Sequence, residues 1–277
     1  VKVLVTAQTG DTVTFQNYFS LANGNTQSLE TNKNGFGWFQ MQDTSCLDMF
    51  GEWAYLNNRV YVYFGANNPN SYTVKYARID TLFNAANNSN LTIQDLSFVG
   101  GNLYGIYGIQ AQNIGIYRCD FDLMGAQAIG YYRLYNSVIA DNRITNCFQT
   151  GMYIQSPTLP YPNVSIYNNY VSNIGLFPGM GSFNQNDYTG ISAFVSDGLY
   201  IIGNDVQRCG IDGIRWQGGV CPGTIGAYIK YNRTQYYCSV GQDHGGIYSY
   251  WNMDNSGNNA CFRNRHVIGN FISNAIG

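Results

Sequence analysis

Charge is scarce in this chain. Only 11% of its 277 residues are charged, and 14 Lys and Arg stand against 16 Asp and Glu for a net charge of −2. Such a chain offers no basic field to a phosphate backbone, so nucleic acid is not an expected partner. Long apolar runs are missing as well, and nothing has the length to insert in a membrane as a helix. No CxxC occurs, and neither His244 nor His266 lies near a Cys at zinc spacing, so no structural metal site is legible. With two His and no GxSxG, serine esterase chemistry has little to work with. The seven Cys are odd in number, so they cannot all pair within the chain. Cys147 and Cys209 are expected to be reduced and buried, while Cys221 and Cys261 could pair.

What is plentiful is turn and strand material. Hydrophobic residues make up 45%, and there are 32 Gly and 24 Tyr, with Asn frequent throughout. This is the composition of a turn-rich β protein with a core and a neutral aromatic surface. Rings beside amides and hydroxyls suit sugars, although Tyr is also an ordinary strand residue.

An irregular repeat organises the chain from Asn90 onward. An aliphatic-x-x-Asn-x-aliphatic frame recurs around Asn142, Asn169, Asn204, Asn232 and Asn270, with Leu96 and Cys119 in the same place in two earlier members. Steps between these anchors are 23, 23, 27, 35, 28 and 38 residues. Each unit is two or three short alternating stretches broken by Gly or Asn, not a helical period. The pattern predicts an all-β fold, a right-handed parallel β-helix (solenoid) of seven rungs over residues 90–277, with insertions at one place in the coil. Residues 1–89 are expected to form a β-rich lead-in region with a hairpin at Trp53–Tyr55 and Val60–Tyr63. Asn at one turn of every coil can bond the backbone of its neighbours and tolerates left-handed geometry. A second column follows at Cys147, Ile174, Cys209, Tyr237 or Cys238, and Ala275. A third is Gly before an aliphatic residue, at Gly151, Gly190, Gly213 and Gly246. Strand alternation then turns Tyr153, Ser192, Arg215 and Tyr248 outward as one stripe. Both chain ends fall in mid-pattern, so a longer chain with further domains is expected, the coil running on past Gly277.

Three stretches, Gly51-Glu52-Trp53 through Tyr61-Val62-Tyr63, Asn90-Leu91-Thr92-Ile93-Gln94-Asp95-Leu96-Ser97-Phe98, and Asp243-His244-Gly245-Gly246-Ile247-Tyr248, stand out. They resemble secreted right-handed parallel β-helix proteins of the pectin-lyase-like superfamily, especially forms common in Bacteroidota. In the last, His244 replaces a usual Gly. The resemblance implies the fold, an extracellular or cell-surface location, and a polysaccharide or glycan partner. It does not choose among lyases, hydrolases, esterases, epimerases, tailspikes and adhesins.

Acidic residues make the best candidate site. Asp187 and Asp243 each lie three residues before a column Gly, and Asp212 directly precedes Gly213. On successive rungs the outer two would be about 9.6 Å apart, with Asp212 about 5 Å from each. Inverting glycosidases need carboxyls about 6.5–9.5 Å apart and retaining ones about 5–5.5 Å. The expected catalytic set is therefore Asp187, Asp212 and Asp243, in a glycoside hydrolase. Arg215, Tyr248, Trp251, His244, Tyr153 and Lys230 are the expected substrate contacts, with Trp216 a further sugar platform. Turn Asp beside Gly is common for purely structural reasons. A lyase of this fold, often calcium-assisted, would draw its base from Lys230 or Arg233, and no oxygen cage of calcium type is legible; otherwise no cofactor is expected. The non-catalytic alternative is a surface adhesin or fibre, or a protein handed to a secretion or surface partner. Asn87, Asn90, Asn163 and Asn232 lie in N-x-S/T sequons, the last expected to be buried in the ladder.

Overall fold

The structure is a computed structural model and describes residues 5–10, 12–15, 18–20, 26–28, 43–156, 162–177, 188–218, 225–240, 244–249 and 264–276. The chain divides into two compact units, Val1–Lys75 and Tyr76–Gly277. In the first unit, strands Trp53–Leu56 and Arg59–Val62 pair antiparallel across Asn57 and Asn58, at φ 51° and 59°. Two left-handed Asn make the tight turn whose twist suits a hairpin.

The second unit is a parallel β-helix. Its strands form three seven-stranded parallel sheets, and successive coils contribute one strand to each. Sheet I contains Thr81–Asn84, Tyr104–Gln112, Gln127–Tyr135, Thr150–Ser156, Ile191–Val195, Ile214–Gln217 and Ile247–Ser249. Sheet II runs from Leu91–Gln94 to Arg265–Ile268, and sheet III from Ser97–Val99 to Phe271–Ala275. The first strand, Thr81–Asn84, precedes the start of the ladder frame at Asn90.

Inward side chains stack in columns because coils repeat in register. Ile106, Ile129, Met152, Ile191 and Ile214 line sheet I, Ile116, Ile139, Ile166, Ile201 and Ile229 line sheet II, and all are fully buried. On sheet III, Phe98 and Phe121 stack with centroids 4.9 Å apart, and Ile144, Val171 and Val206 continue the column. Each such side chain contributes about 1.5–3 kcal/mol by leaving water.

The Asn column joins the coils. Asn169 accepts at Oδ1 from the Asn142 backbone N–H at 3.0 Å and from Asn142 Nδ2 at 2.9 Å. Its own Nδ2 donates to Asn204 Oδ1 at 2.9 Å and to the Ile139 carbonyl, in the preceding coil, at 3.0 Å. Asn204 repeats this with Asn232, and Asn232 with Asn270. In the second coil Cys119 takes the place, its Sγ 3.8 Å from the Ile93 carbonyl. The left-handed residue is not the ladder Asn, as expected from sequence, but the one before it: Arg118, Asp141, Asn168, Gly203, Tyr231 and Gly269 all have positive φ. That residue makes the corner, leaving the ladder side chain to point inward and bond.

The corner between sheets II and III is always the same two residues, a left-handed one and the ladder residue. The corners that vary in length are the other two, and the longest gaps lie between 156 and 164, 174 and 191, 217 and 227, 237 and 247, and 249 and 265. The insertions therefore occupy two places, not one, and both flank sheet I.

Candidate functional site

Sheet I carries the Gly column and the outward stripe. Met152 lies opposite Ile191, Ile191 opposite Ile214 and Ile214 opposite Ile247, which puts Gly151, Gly190, Gly213 and Gly246 level. A Cβ on Gly213 would lie 2.6 Å from the Gly246 carbonyl oxygen, and one on Gly190 2.7 Å from that of Gly213. Close backbone approach, not turn geometry, selects Gly here. One residue beyond the inward Ile, Tyr153, Ser192, Arg215 and Tyr248 form one outer column, continued by Tyr107 and Gly130.

The same register locates Asp212. Gly151 N–H donates to the Thr189 carbonyl and Gly190 N–H to the Asp212 carbonyl, so Thr189 is level with Asp212, as is Gly245 by the same count. Asp187 and Asp243 lie two residues upstream of those levels, and both fall outside the described residues, as do Trp251, Cys221 and Cys261.

Asp212 is fully buried, which corrects its expected role. Its Oδ2 accepts from Arg215 Nε and Nη2, each at 2.6 Å, and its Oδ1 accepts from the Gly245 backbone N–H at 3.0 Å. The Arg215 side chain is 3% exposed, so this is a buried ion pair. Arg215 Nη2 also lies 3.0 Å from His244 Nδ1, to which it donates. A ring nitrogen that accepts carries no proton, so the geometry assigns the imidazole hydrogen to Nε2. His244 Nδ1 is 3.3 Å from Asp212 Oδ1, and the guanidinium between these acceptors holds them together. Tyr248 completes the cluster, its ring centroid 5.4 Å from that of His244 and 5.5 Å from Arg215 Cζ.

Asp212 thus positions Arg215, and Arg215 positions His244. The groups left facing outward are the imidazole, 26% exposed, and the half-buried Tyr248. Arg215 is too enclosed to reach a sugar carboxylate directly, because its outer-face position is covered. Two other expectations are corrected. Lys230 does turn outward, but on sheet II, where its ammonium lies 4.8 Å from the Tyr228 ring, so it is not beside this cluster. Trp216 points into the core, 3% exposed, and is packing rather than platform. Cys147 and Cys209 are free and buried as expected, and burial pushes the Cys147 thiol up to about 12.

The outer face of sheet I also holds rings that the repeat frame had not singled out. Tyr104 and Tyr107 lie 4.9 Å apart at 35°, and Phe194 stands edge-on to Tyr153 at 6.4 Å. Gln155 accepts from the Tyr153 hydroxyl at 3.2 Å. Gly105-Ile106, one residue before Tyr107, carries the same Gly-aliphatic signal as Gly151-Met152, and extending that column backward would have found Tyr107.

Residues 65–177 match the family model described as a right handed beta helix region. The fold is a right-handed parallel β-helix. No curated protein and no solved structure matches the chain. The matched stretch covers the first coils of the β-helix and ends before the Asp212 cluster, so the site stands on its own geometry.

Proposed function

We propose that this β-helix is a glycan-binding protein that holds a polysaccharide along the outer face of sheet I. The observation that carries the reading is the run of half-buried rings Tyr104, Tyr107, Tyr153, Phe194 and Tyr248, set among Gln127, Gln155 and His244 on one face. Aromatic rings supply apolar area to sugar faces, and amides and imidazole supply the few oriented polar contacts that fix a ligand. The Asp212–Arg215 pair fixes the imidazole so that it presents an N–H donor. Such a partner implies work outside the cell or at its surface.

Hydrolysis would need two carboxyls open to the substrate. Asp212 is not one of them, so acid and base roles would fall to Asp187 and Asp243. Binding therefore ranks ahead of hydrolysis, and lyase chemistry ranks behind both, since Lys230 stands on another sheet. The test is retention on a panel of immobilised plant, algal and host polysaccharides, with reducing-end release and unsaturated products followed in parallel. Retention by at least one polysaccharide is expected, weakened roughly tenfold by Tyr153→Ala or Tyr248→Ala, about 1.4 kcal/mol for a lost ring contact. A folded protein retained by none overturns the reading. Product release lost in Asp243→Asn would add hydrolysis to binding.

A further inference from the structure

Charge on the outer face of sheet I narrows the ligand that the face can hold. Register sets its outward side chains in three columns. One runs through Tyr104 and Asp212, the next through Tyr107, Tyr153 and Arg215, and the third through Tyr132, Gln155 and Phe194. Among the described residues of these columns, Asp212 and Arg215 are the only charged members. They close on each other at 2.6 Å with side chains 0% and 3% exposed, so the pair offers the ligand no net charge. The His244 imidazole takes the Arg215 hydrogen bond at Nδ1 and is uncharged. Arg133 stands one residue past the third column, at the bend toward sheet II, with Cζ 5.5 Å from the Tyr132 ring centroid. It is a single cation at the rim, not one beside each ring.

The remaining polar groups are amides and hydroxyls. Gln155 accepts from the Tyr153 hydroxyl at 3.2 Å, and the Gln127 amide fills the outward place left by Gly130, its Oε1 2.6 Å from where a Cβ would stand. An amide both donates and accepts, as a sugar hydroxyl does, whereas a carboxylate or sulfate only accepts and is met best by a cation. A polyanion carries such a group at repeat after repeat. Laid over this face it would give up water at each one with no cation to replace it, which is costly. The five longest connections beside sheet I oppose it further. Residues 157–163, 175–190, 218–226, 238–246 and 250–264 hold Asp187, Asp243 and Asp254 against one Arg and no Lys.

We infer that the ligand of sheet I is an uncharged polysaccharide, recognised by ring contact and by amide–hydroxyl hydrogen bonds without an ion pair. This class rests on the glycan-binding reading of the same face and adds the charge of the glycan.

The test is retention of the whole chain on xylan, glucomannan and galactan beside polygalacturonate, alginate and dextran sulfate, each across a sodium chloride series. Polygalacturonate and the galactan made by reducing its carboxyls form a pair that differs in charge alone. Retention by at least one neutral polymer is expected, changing less than about twofold between about 0.05 and about 0.5 M salt, because no ion pair is there to screen. Each anionic polymer should be held at least about tenfold more weakly than that neutral one, and carboxyl reduction should not weaken retention. Retention by anionic polymers alone, or neutral retention lost as salt rises, overturns the uncharged class and leaves glycan binding on sheet I standing. Retention by no polymer overturns both. Tyr153→Ala and Gln155→Ala, checked as folded by thermal melting, should each weaken the neutral contact. Neutral retention unchanged in both places the contact off this face and overturns the inference.

Discussion

Truncating one ladder Asn should cost far more where it is buried than where it is half-exposed. Asn169→Ala removes the oxygen that serves the Asn142 backbone N–H and the Asn142 amide, at 3.0 and 2.9 Å. Both donors sit in the core, where no water replaces the acceptor. At about 1–3 kcal/mol for each buried donor left unpaired, the loss is about 2–6 kcal/mol. For a unit of this size each kcal/mol moves the midpoint by about 2–4 °C, so a drop on the order of 10 °C is expected. Asn270 makes the same pair of bonds to Asn232, at 2.9 Å each, but it is itself half-exposed in the last described coil. Water can stand in for its oxygen, and Asn270→Ala should cost about 1 kcal/mol or less. Thermal unfolding followed by circular dichroism compares the two variants. Amide exchange at Asn142 and Asn232 localises the effect, because a stacked repeat need not melt in one step. Equal losses at the two positions, or a shift below about 2 °C for Asn169→Ala, would refute the ladder as a source of stability.

Two further outcomes test the site and the core. Asp212→Asn leaves the Arg215 guanidinium enclosed without its carboxylate and should cost about 3–5 kcal/mol in urea denaturation, whereas the paired change Asp212→Leu with Arg215→Met should cost less than that single change; a paired change that costs as much as the sum of the singles would show no coupling. Burial raises the Cys147 thiol to about 12 from 9.0, and raises Cys209 as well. The unfolded chain therefore releases these protons first as pH rises, so stability is held below about pH 9 and falls from there toward about pH 12. Melting curves from about pH 7 to about pH 11 should show that decline reduced in the Cys147→Ala, Cys209→Ala double variant, and an unchanged decline would place its origin elsewhere.

The ladder was legible because its chemistry repeats along the chain in a fixed frame. Asn142 to Asn270 each sit one residue after a left-handed corner and three residues after an aliphatic residue of sheet II, so sequence spacing and hydrogen bonding coincide. Cys119 fitted the same frame because a thiol can reach the preceding coil's carbonyl much as an amide does. Alternation likewise turned Tyr153, Arg215 and Tyr248 outward. What alternation cannot carry is coverage. Arg215 faces away from the core yet is buried, and Asp212 is buried beside it. Spacing between anchors also counts residues per coil without saying at which corner they lie, which is why Lys230 and the Asp212 cluster looked closer than they are.

The constant two-residue corner between sheets II and III divides the molecule into a part that cannot change length and a part that can. An extra residue at that corner would carry that coil's ladder amide out of reach of its neighbours on both sides, so a single insertion there breaks the amide stack at that coil. Insertions beside sheet I meet no such constraint, and the chain already holds several of different sizes. Selection can therefore lengthen, exchange or delete the rim around one face while the spine stays in step. A protein engineer could do the same, grafting segments between 174 and 191 or 249 and 265 and leaving the corners at 203–204 and 231–232 untouched.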